Sequence, residues 1–309
     1  MRREKNTDFK RTKEDKITYA KRMVEENNIT NEQELREHIM KQGIIEEVMF
    51  KMGPNYEAFF RPLIRHQVLV NTQAEKETTY KSIAEEYWIP QEAKKQNVEW
   101  LNKWFQKQGV DKEKFVEAVV NITEKRLDKI NSFTLQGKSN SGKTMMFNLI
   151  LKPYNKGYMT RDGNQGPFMY QNLLDKSVCI DEETDIVPQN EQTRKLIMEG
   201  ATIEVPVKNQ DNAKLHRIPM FISTNHSLGK WISPMGYAAI LNRMYLFKID
   251  AVIGVDLEKP ECEITFSDWW KCVRECQIFK KNTKRATSRK PKSKNSEMET
   301  GPSEEVAEE

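Results

Sequence analysis

The chain has 309 residues, 31% of them charged, and a formal net charge of +4 at pH 7. No stretch approaches the roughly 18 consecutive apolar residues of a membrane-spanning helix, so we expect no membrane partner. The net charge is too small to indicate nucleic-acid binding by itself, and local patterns have to supply that argument. The four cysteines lack paired C-x-x-C spacing, which favours buried thiols in a reducing compartment over a disulfide or zinc site.

Residues 31–130 are predicted to be helical, after a polar N-terminal segment. Residues 1–30 are polar and dense in charge, and we expect them to be disordered or frayed. Over residues 31–130 apolar side chains recur at helical spacing, beginning with Leu35 and Ile39 after an N-cap at Thr30 or Asn31. One aromatic face in this region comprises Trp100, Leu101, Trp104 and Phe105. This face could stack bases, but its burial in a helix-helix core is favoured.

A phosphate-binding loop follows the helical region. The segment Gly137-Lys138-Ser139-Asn140-Ser141-Gly142-Lys143-Thr144 matches G-x-x-x-x-G-K-[ST] at every fixed position. A strand-like run enters it at 132–135, and a helix-compatible run leaves it at 144–151. Its backbone amides would surround phosphate oxygens, Lys143 would reach the β- and γ-phosphates, and the Thr144 hydroxyl would ligate magnesium. The sequence therefore predicts a nucleotide site.

Beyond the loop, short apolar runs alternate with helical segments. Strand candidates occupy 177–180, 219–224 and 244–247, and helices are expected at 191–198 and 267–279. This alternation predicts an α/β fold with a mainly parallel sheet covered on both faces. Two further runs, at 203–208 and 215–218, flank a segment at 209–214 that we expect to be a polar tip.

Three polar groups follow the loop in order. The acidic triplet Asp181-Glu182-Glu183 ends one strand candidate, where one carboxylate can hold magnesium and another can orient the attacking water. Asn225 ends a later strand, where its amide can bind the γ-phosphate or that water. Arg243 can stabilise transition-state charge, from its own subunit or from a neighbour. Each also has an ordinary structural alternative, such as a helix cap or a turn.

The last thirty residues are of low complexity. Eight of the fifteen residues 280–294 are Lys or Arg, and residues 295–309 carry six glutamates. Such a composition cannot build a core, so we expect a disordered tail. Its basic half is compatible with a nuclear-import signal, a phosphate-binding arm or a merely solvated segment.

The order of these motifs resembles that of the superfamily 3 helicases of small DNA viruses, and most closely the large nonstructural initiator protein of parvoviruses and densoviruses. The resemblance covers roughly residues 97–279. The residues that carry it are Gly137–Thr144, Asp175–Glu183, Gly200–Lys208, Ile218–Asn225 and Leu241–Phe247.

The resemblance implies an AAA-like ATPase core over residues 131–279 that uses ATP and Mg²⁺ and moves along single-stranded DNA. It implies a homo-oligomeric ring, expected to be hexameric, with the helical region 31–130 serving assembly. Lys208, with Lys214 as a further candidate, would lie on a hairpin that grips the DNA backbone, and Arg243 would be the arginine finger. The expected setting is the host nucleus, with viral and host replication proteins as possible partners.

Two departures from the family pattern matter. The family places the acidic pair at Glu182-Glu183, whereas a generic interpretation takes Asp181-Glu182, with Thr144, Asp181 and Glu182 around the metal. The histidine pair and Tyr-x-x-x-Lys of the family's nicking domain have no counterpart in these 309 residues, so we expect no nicking. A short, helicase-only form, as in bidnaviruses, is one expectation; a truncated or host-captured copy is another.

Two other functions remain open on the sequence. A nucleoside or small-molecule kinase would normally carry an Arg-rich lid, which is not evident here. A nucleotide-regulated DNA-binding or assembly protein with a vestigial ATPase is disfavoured because Lys143, Thr144, Glu182 and Asn225 are all present.

Overall fold

The structure, a computed structural model, describes residues 16–159 and 168–280. The predicted tail therefore lies outside the described residues, except for Lys280. The expectation for residues 1–15 also lies outside them.

Four helices at the N-terminal end form a hydrophobic cluster of their own. They are α1 (residues 16–26), α2 (Glu32–Gln42), α3 (Ile45–Met52) and α4 (Tyr56–Glu77). The predicted fraying is wrong from residue 16 onward, because Ala20, Met23 and Val24 lie on one face of α1 and are buried in this cluster. Of the two candidate N-caps of α2, Asn31 is the one whose side chain accepts from the backbone of the first turn.

The next helices pack in the main hydrophobic core, where the last of them contacts strand β1 (Ser132–Gln136). These are α5 (Tyr80–Tyr87), α6 (Lys95–Gln108) and α7 (Lys112–Thr123). The aromatic face of α6 is buried in the main core, where Trp104 and Phe105 lie edge-on to Phe115, so the interpretation as helix core is confirmed. Hydrophobic packing thus crosses the predicted boundary at residue 130.

Five parallel strands form the central sheet in the order β2-β3-β6-β1-β7. Their bounds are Ser132–Gln136 (β1), Lys156–Tyr158 (β2), Val178–Glu182 (β3), Met220–Thr224 (β6) and Met244–Lys248 (β7). The helices that accompany this sheet are α8 (Lys143–Ile150), α9 (Glu191–Glu199), α10 (Pro234–Leu241) and α11 (Phe266–Val273). Helices α8 and α11 belong to one hydrophobic cluster, and α9 and α10 belong to another. The predicted α/β class is confirmed. Strands β3, β6 and β1 are neighbours, so the segments that follow them meet at one sheet edge.

A separate antiparallel hairpin is inserted between α9 and β6. It consists of β4 (Ile203–Val207) and β5 (Gln210–Leu215), joined by a two-residue turn at Lys208 and Asn209. The predicted polar tip at 209–214 is wrong, because Asn209 adopts the left-handed conformation (φ 60°) that suits a tight turn. The polar residues after it form a strand that is exposed from Gln210 to Asn212 and buried at Leu215.

Within the described residues, no helix combines the length and apolarity that a membrane span requires.

Candidate nucleotide site

The phosphate-binding loop connects β1 to α8, the strand-to-helix context that the motif requires. Gly142 is the N-cap of α8 and has φ 96°, which side-chain-bearing residues rarely adopt. A Cβ at Gly137 would lie 1.7 Å from the carbonyl oxygen of Ile249, so that position has no room for a side chain. Both glycines of the motif are therefore dictated by the loop's backbone.

Helix α6 supports the phosphate-binding loop through side-chain hydrogen bonds to its backbone. The Trp104 indole donates to the Ser141 carbonyl at 3.0 Å, and the Gln108 amide donates to the same oxygen at 3.1 Å. Gln108 also exchanges hydrogen bonds with the backbone of Ala251, at 2.8 and 2.9 Å. The sequence pattern predicted only a packing role for this helix. The sequence did contain a signal for this contact. A buried tryptophan such as Trp104 needs an acceptor for its indole N–H, and Gln108, one turn later on the same face, can reach the same acceptor.

Lys143 is folded into the loop. Its Nζ donates to the carbonyl oxygens of Gly137 (2.8 Å) and Lys138 (2.7 Å), and only 8% of the residue is exposed. Burial lowers the pKa of its ammonium, and the nearby carboxylates of Glu183 and Asp250 oppose that shift. The charge of Lys143 is therefore held at the centre of the loop. A bound phosphate would replace the two carbonyls as the acceptor of its hydrogen bonds.

An open cavity of about 1040 Å³ lies over the loop. The structure brings together in its lining most of the predicted site, namely Ser139, Asn140, Gly142, Lys143, Thr144, Glu182, Glu183 and Asn225. A further part of the lining was not predicted: it is formed by Val252, Ile253, Gly254, Val255, Lys259 and Pro260. This part of the wall is tied to the loop because the Ile253 amide donates to the Asn140 carbonyl at 2.9 Å.

The acidic triplet divides between two faces of β3. Asp181 is 4% exposed, and its carboxylate pairs with the equally buried guanidinium of Arg194 on α9. Glu182 and Glu183 line the cavity instead, Glu183 with φ 50°. Successive strand residues point to opposite faces, so Asp181 and Glu182 cannot both face the nucleotide. Asp181, which the generic interpretation placed at the metal, therefore does not line the cavity, whereas Glu182 and Glu183 do.

We expect Asp181→Asn to destabilise the fold rather than to abolish nucleotide binding. Removing one partner leaves the Arg194 guanidinium buried without a counter-charge, which typically costs about 3–5 kcal/mol. Urea unfolding, compared with that of Glu183→Gln at the exposed end of the same segment, measures this loss. Equal stability of the two variants would contradict the structural role.

The residues present fit a magnesium nucleotide. The buried Ser141 hydroxyl has no hydrogen-bond partner among the described residues, so the loop retains an unused polar atom. Thr144 and Glu182 contribute oxygen donors to the same cavity, the ligand type that Mg²⁺ prefers.

Asn225 occupies the loop after β6, between the phosphate-binding loop and the acidic pair. The backbone on either side of it is fixed, because the Thr224 hydroxyl donates to the His226 carbonyl at 2.8 Å. The His226 ring lies 2.7 Å from the Asp185 carboxylate, which also accepts from the Trp231 indole at 3.3 Å. This link between the loops after β3 and β6 was not predicted from the sequence.

Arg243 lies away from this cavity. It immediately precedes β7, at the end of the sheet opposite the phosphate-binding loop. Its Nε and Nη2 donate to Oε2 of Glu199 at 3.0 and 2.7 Å, and its Nη1 donates to the Ala239 carbonyl at 2.6 Å. Any action on a nucleotide would therefore be on that of another subunit.

The two hairpin lysines differ in their surroundings. Lys208 lies in the exposed turn, and its backbone amide donates to the side chain of Gln171 at 3.2 Å. Lys214 lies on β5 directly opposite Glu204 of β4. Opposite charges attract across an antiparallel pair, so we expect Glu204 to offset part of the charge of Lys214, which makes Lys208 the stronger candidate for binding an anion.

The fold and the loop motif define an α/β protein with a P-loop. Residues 49–280 match the family described as Parvovirus non-structural protein NS1, so the chain belongs to this family. This confirms the resemblance noted above and extends the match to before residue 97.

Initiator protein NS1 of Aedes albopictus densovirus is 27% identical over 238 residues, 73% of this chain and 29% of that protein. That of Junonia coenia densovirus is 27% identical over 117 residues, 37% of this chain and 21% of that protein. The chain thus spans less than a third of these relatives. A solved structure of JCV helicase aligns with a TM-score of 0.47 and 11% identity, covering 65% of this chain and 61% of that one.

Proposed function

We propose that the chain is an ATP-dependent DNA helicase of viral replication, an expectation that membership of the NS1 family supports. One observation carries the proposal. A single cavity gathers the phosphate-binding loop, Glu182, Glu183 and Asn225, whereas Arg243 lies at the opposite end of the sheet. An ATPase that completes its site with a neighbour's arginine requires this separation.

Each residue has a proposed role. Bound magnesium would neutralise developing phosphate charge, and Thr144 and Glu182 would hold it. Lys143 compensates the β- and γ-phosphates, Glu183 orients and deprotonates the attacking water, and Asn225 donates to the γ-phosphate or that water.

Assembly and DNA binding complete the proposal. A head-to-tail ring, which we expect to be hexameric, would place each Arg243 against the next subunit's cavity. The hairpins would then present Lys208 to single-stranded DNA in the ring channel. Action in the host nucleus, alongside viral and host replication proteins, belongs to the same proposal.

The decisive experiment is ATP hydrolysis with and without single-stranded DNA, combined with sedimentation in a non-hydrolysable nucleotide. We expect stimulation by DNA and a nucleotide-dependent oligomer. A phosphorylated small product instead of free phosphate would favour the kinase alternative. Nucleotide-dependent assembly without turnover would favour the vestigial ATPase.

Glu182→Gln is expected to bind nucleotide but to lose turnover. The substitution keeps the size and polarity of the side chain while removing the charge that holds magnesium. Loss of one such electrostatic contact lowers the rate on the order of 10²–10³-fold. Nucleotide affinity and single-turnover hydrolysis, measured beside Glu183→Gln, test it. Normal hydrolysis by Glu182→Gln would contradict its metal-binding role, whatever the loss in Glu183→Gln.

Lys208→Ala is expected to weaken single-stranded DNA binding for all sequences and to stop unwinding, while DNA-independent hydrolysis continues. Contacts to phosphate are blind to sequence and sensitive to salt, so the salt slope should flatten by about one unit or less per subunit engaged. DNA affinity across a salt series, with unwinding assays, measures both effects.

Lys214→Ala is the matched control, because it removes the same charge from the same hairpin but at a position opposite Glu204. We expect it to have the smaller effect. Deletion of residues 280–309 should cost some non-specific affinity but keep unwinding. If the deletion abolished unwinding while Lys208→Ala still unwound DNA, the tail rather than the hairpin would be the DNA-binding element.

A further inference from the structure

The two ends of the hairpin insertion meet at one buried side chain, that of Asn131, which is 0% exposed. Its Nδ2 donates to the carbonyls of Ile197 (3.1 Å), before the hairpin, and Ile218 (2.7 Å), after it. Its Oδ1 accepts from Arg217 at 3.0 Å. With both amide hydrogens and the carbonyl oxygen engaged, Asn131 fixes where the insertion leaves and rejoins the core.

The same junction includes the arginine-finger residue. The Asn131 backbone amide points at two carbonyls, those of Met198 (3.0 Å) and Arg243 (3.3 Å). Gly200, at φ 85°, begins the path into the hairpin, and a Cβ there would lie 2.7 Å from Nε of Arg217. The entrance and exit of the hairpin and the backbone of Arg243 are therefore one packed unit.

Glu199 makes the side-chain connection. It is the last residue of α9, so it directly precedes Gly200 and the hairpin. Its Oε2 accepts both Nε and Nη2 of Arg243, and each side chain is 24% exposed. Each Nη carries two hydrogens, so the guanidinium keeps N–H groups for a further acceptor while this pair fixes its orientation.

We propose that Glu199 is a positioning residue that couples the hairpin to Arg243 of the same subunit. The roles of hairpin and finger rest on the proposed function. Displacement of the hairpin by bound DNA moves the end of α9, and Glu199 transmits that movement to the guanidinium. DNA bound by one subunit then adjusts hydrolysis in the neighbouring site that its Arg243 enters.

The physical link is tested without any catalytic readout, by amide hydrogen exchange of residues 203–215. Glu199→Gln and Arg243→Gln break the pair from either side, and each should speed exchange in the hairpin. A roughly two- to fivefold increase corresponds to the loss of a partly exposed ion pair. The matched control is Glu191→Gln, which removes a charge from the same helix, where Glu191 pairs with Lys195 at 21% and 19% side-chain exposure. Unchanged exchange in both pair-breaking variants overturns the link.

The consequence is tested by hydrolysis with and without single-stranded DNA. In Glu199→Gln we expect the stimulation ratio to fall towards one, while affinities for nucleotide and DNA stay within about twofold of those of Glu191→Gln. Equal stimulation in these two variants overturns the coupling. A wild-type chain without DNA-stimulated hydrolysis would instead refute the proposed function, and the exchange experiment would still decide whether Glu199 links hairpin and finger.

Discussion

Lys143→Ala should abolish ATP hydrolysis in a chain that remains folded. The ammonium is the charge at the centre of the loop, held 2.8 and 2.7 Å from two loop carbonyls. Without it, none of the loop residues that line the cavity carries a positive charge, so the β- and γ-phosphates lose their compensating ammonium there. Removing one preorganised contact of this kind lowers the rate on the order of 10²–10³-fold or more. Steady-state phosphate release and nucleotide affinity measure the loss.

Lys152→Ala provides the control, because it removes the same charge from an exposed position just after α8. It should hydrolyse ATP at the wild-type rate. Thermal unfolding of both variants separates a lost contact from a lost fold. Near-normal hydrolysis by a well-folded Lys143→Ala would refute the nucleotide-site assignment.

Local pattern was sufficient to predict the fold class and much of the site. The phosphate-binding loop is a short, contiguous motif, and its glycines mark the positions where the backbone conformation excludes a side chain. Glu182 and Asn225 could be placed beside it because both follow buried apolar runs, and the ends of neighbouring parallel strands share one sheet edge. These predictions require only the order of elements along the chain.

Partners distant in sequence could not be predicted. From the sequence alone, Asp181 was a candidate metal ligand. In the structure its carboxylate is paired with Arg194, which lies on the next helix. The cavity wall around Ile253 and the support from Gln108 likewise depend on packing between remote segments. In the hairpin, the turn lies earlier than predicted because Asn209 adopts the left-handed conformation. Strand β5 has no alternating apolar pattern from which its pairing register with β4 could be predicted.

Arg243→Ala is expected to bind ATP and to lose hydrolysis by roughly 10³-fold or more, the usual contribution of an arginine finger. Its nucleotide cavity is intact because Arg243 lies at the other end of the sheet. Arg243→Lys should rescue poorly, since an ammonium cannot reproduce the two-hydrogen-bond contact with Glu199. Hydrolysis and nucleotide affinity of both variants measure these effects.

Mixing Arg243→Ala with Lys143→Ala should recover activity that neither variant has alone. In a head-to-tail ring each interface pairs one subunit's loop with the next subunit's arginine, so random mixing in equal amounts restores about a quarter of the interfaces. Hydrolysis should therefore peak near equal proportions and vanish at both extremes. Because each variant alone supplies the baseline, the peak cannot arise from residual activity. A flat response, with subunit exchange verified by fluorescence, would mean that Arg243 does not act on a neighbour's nucleotide.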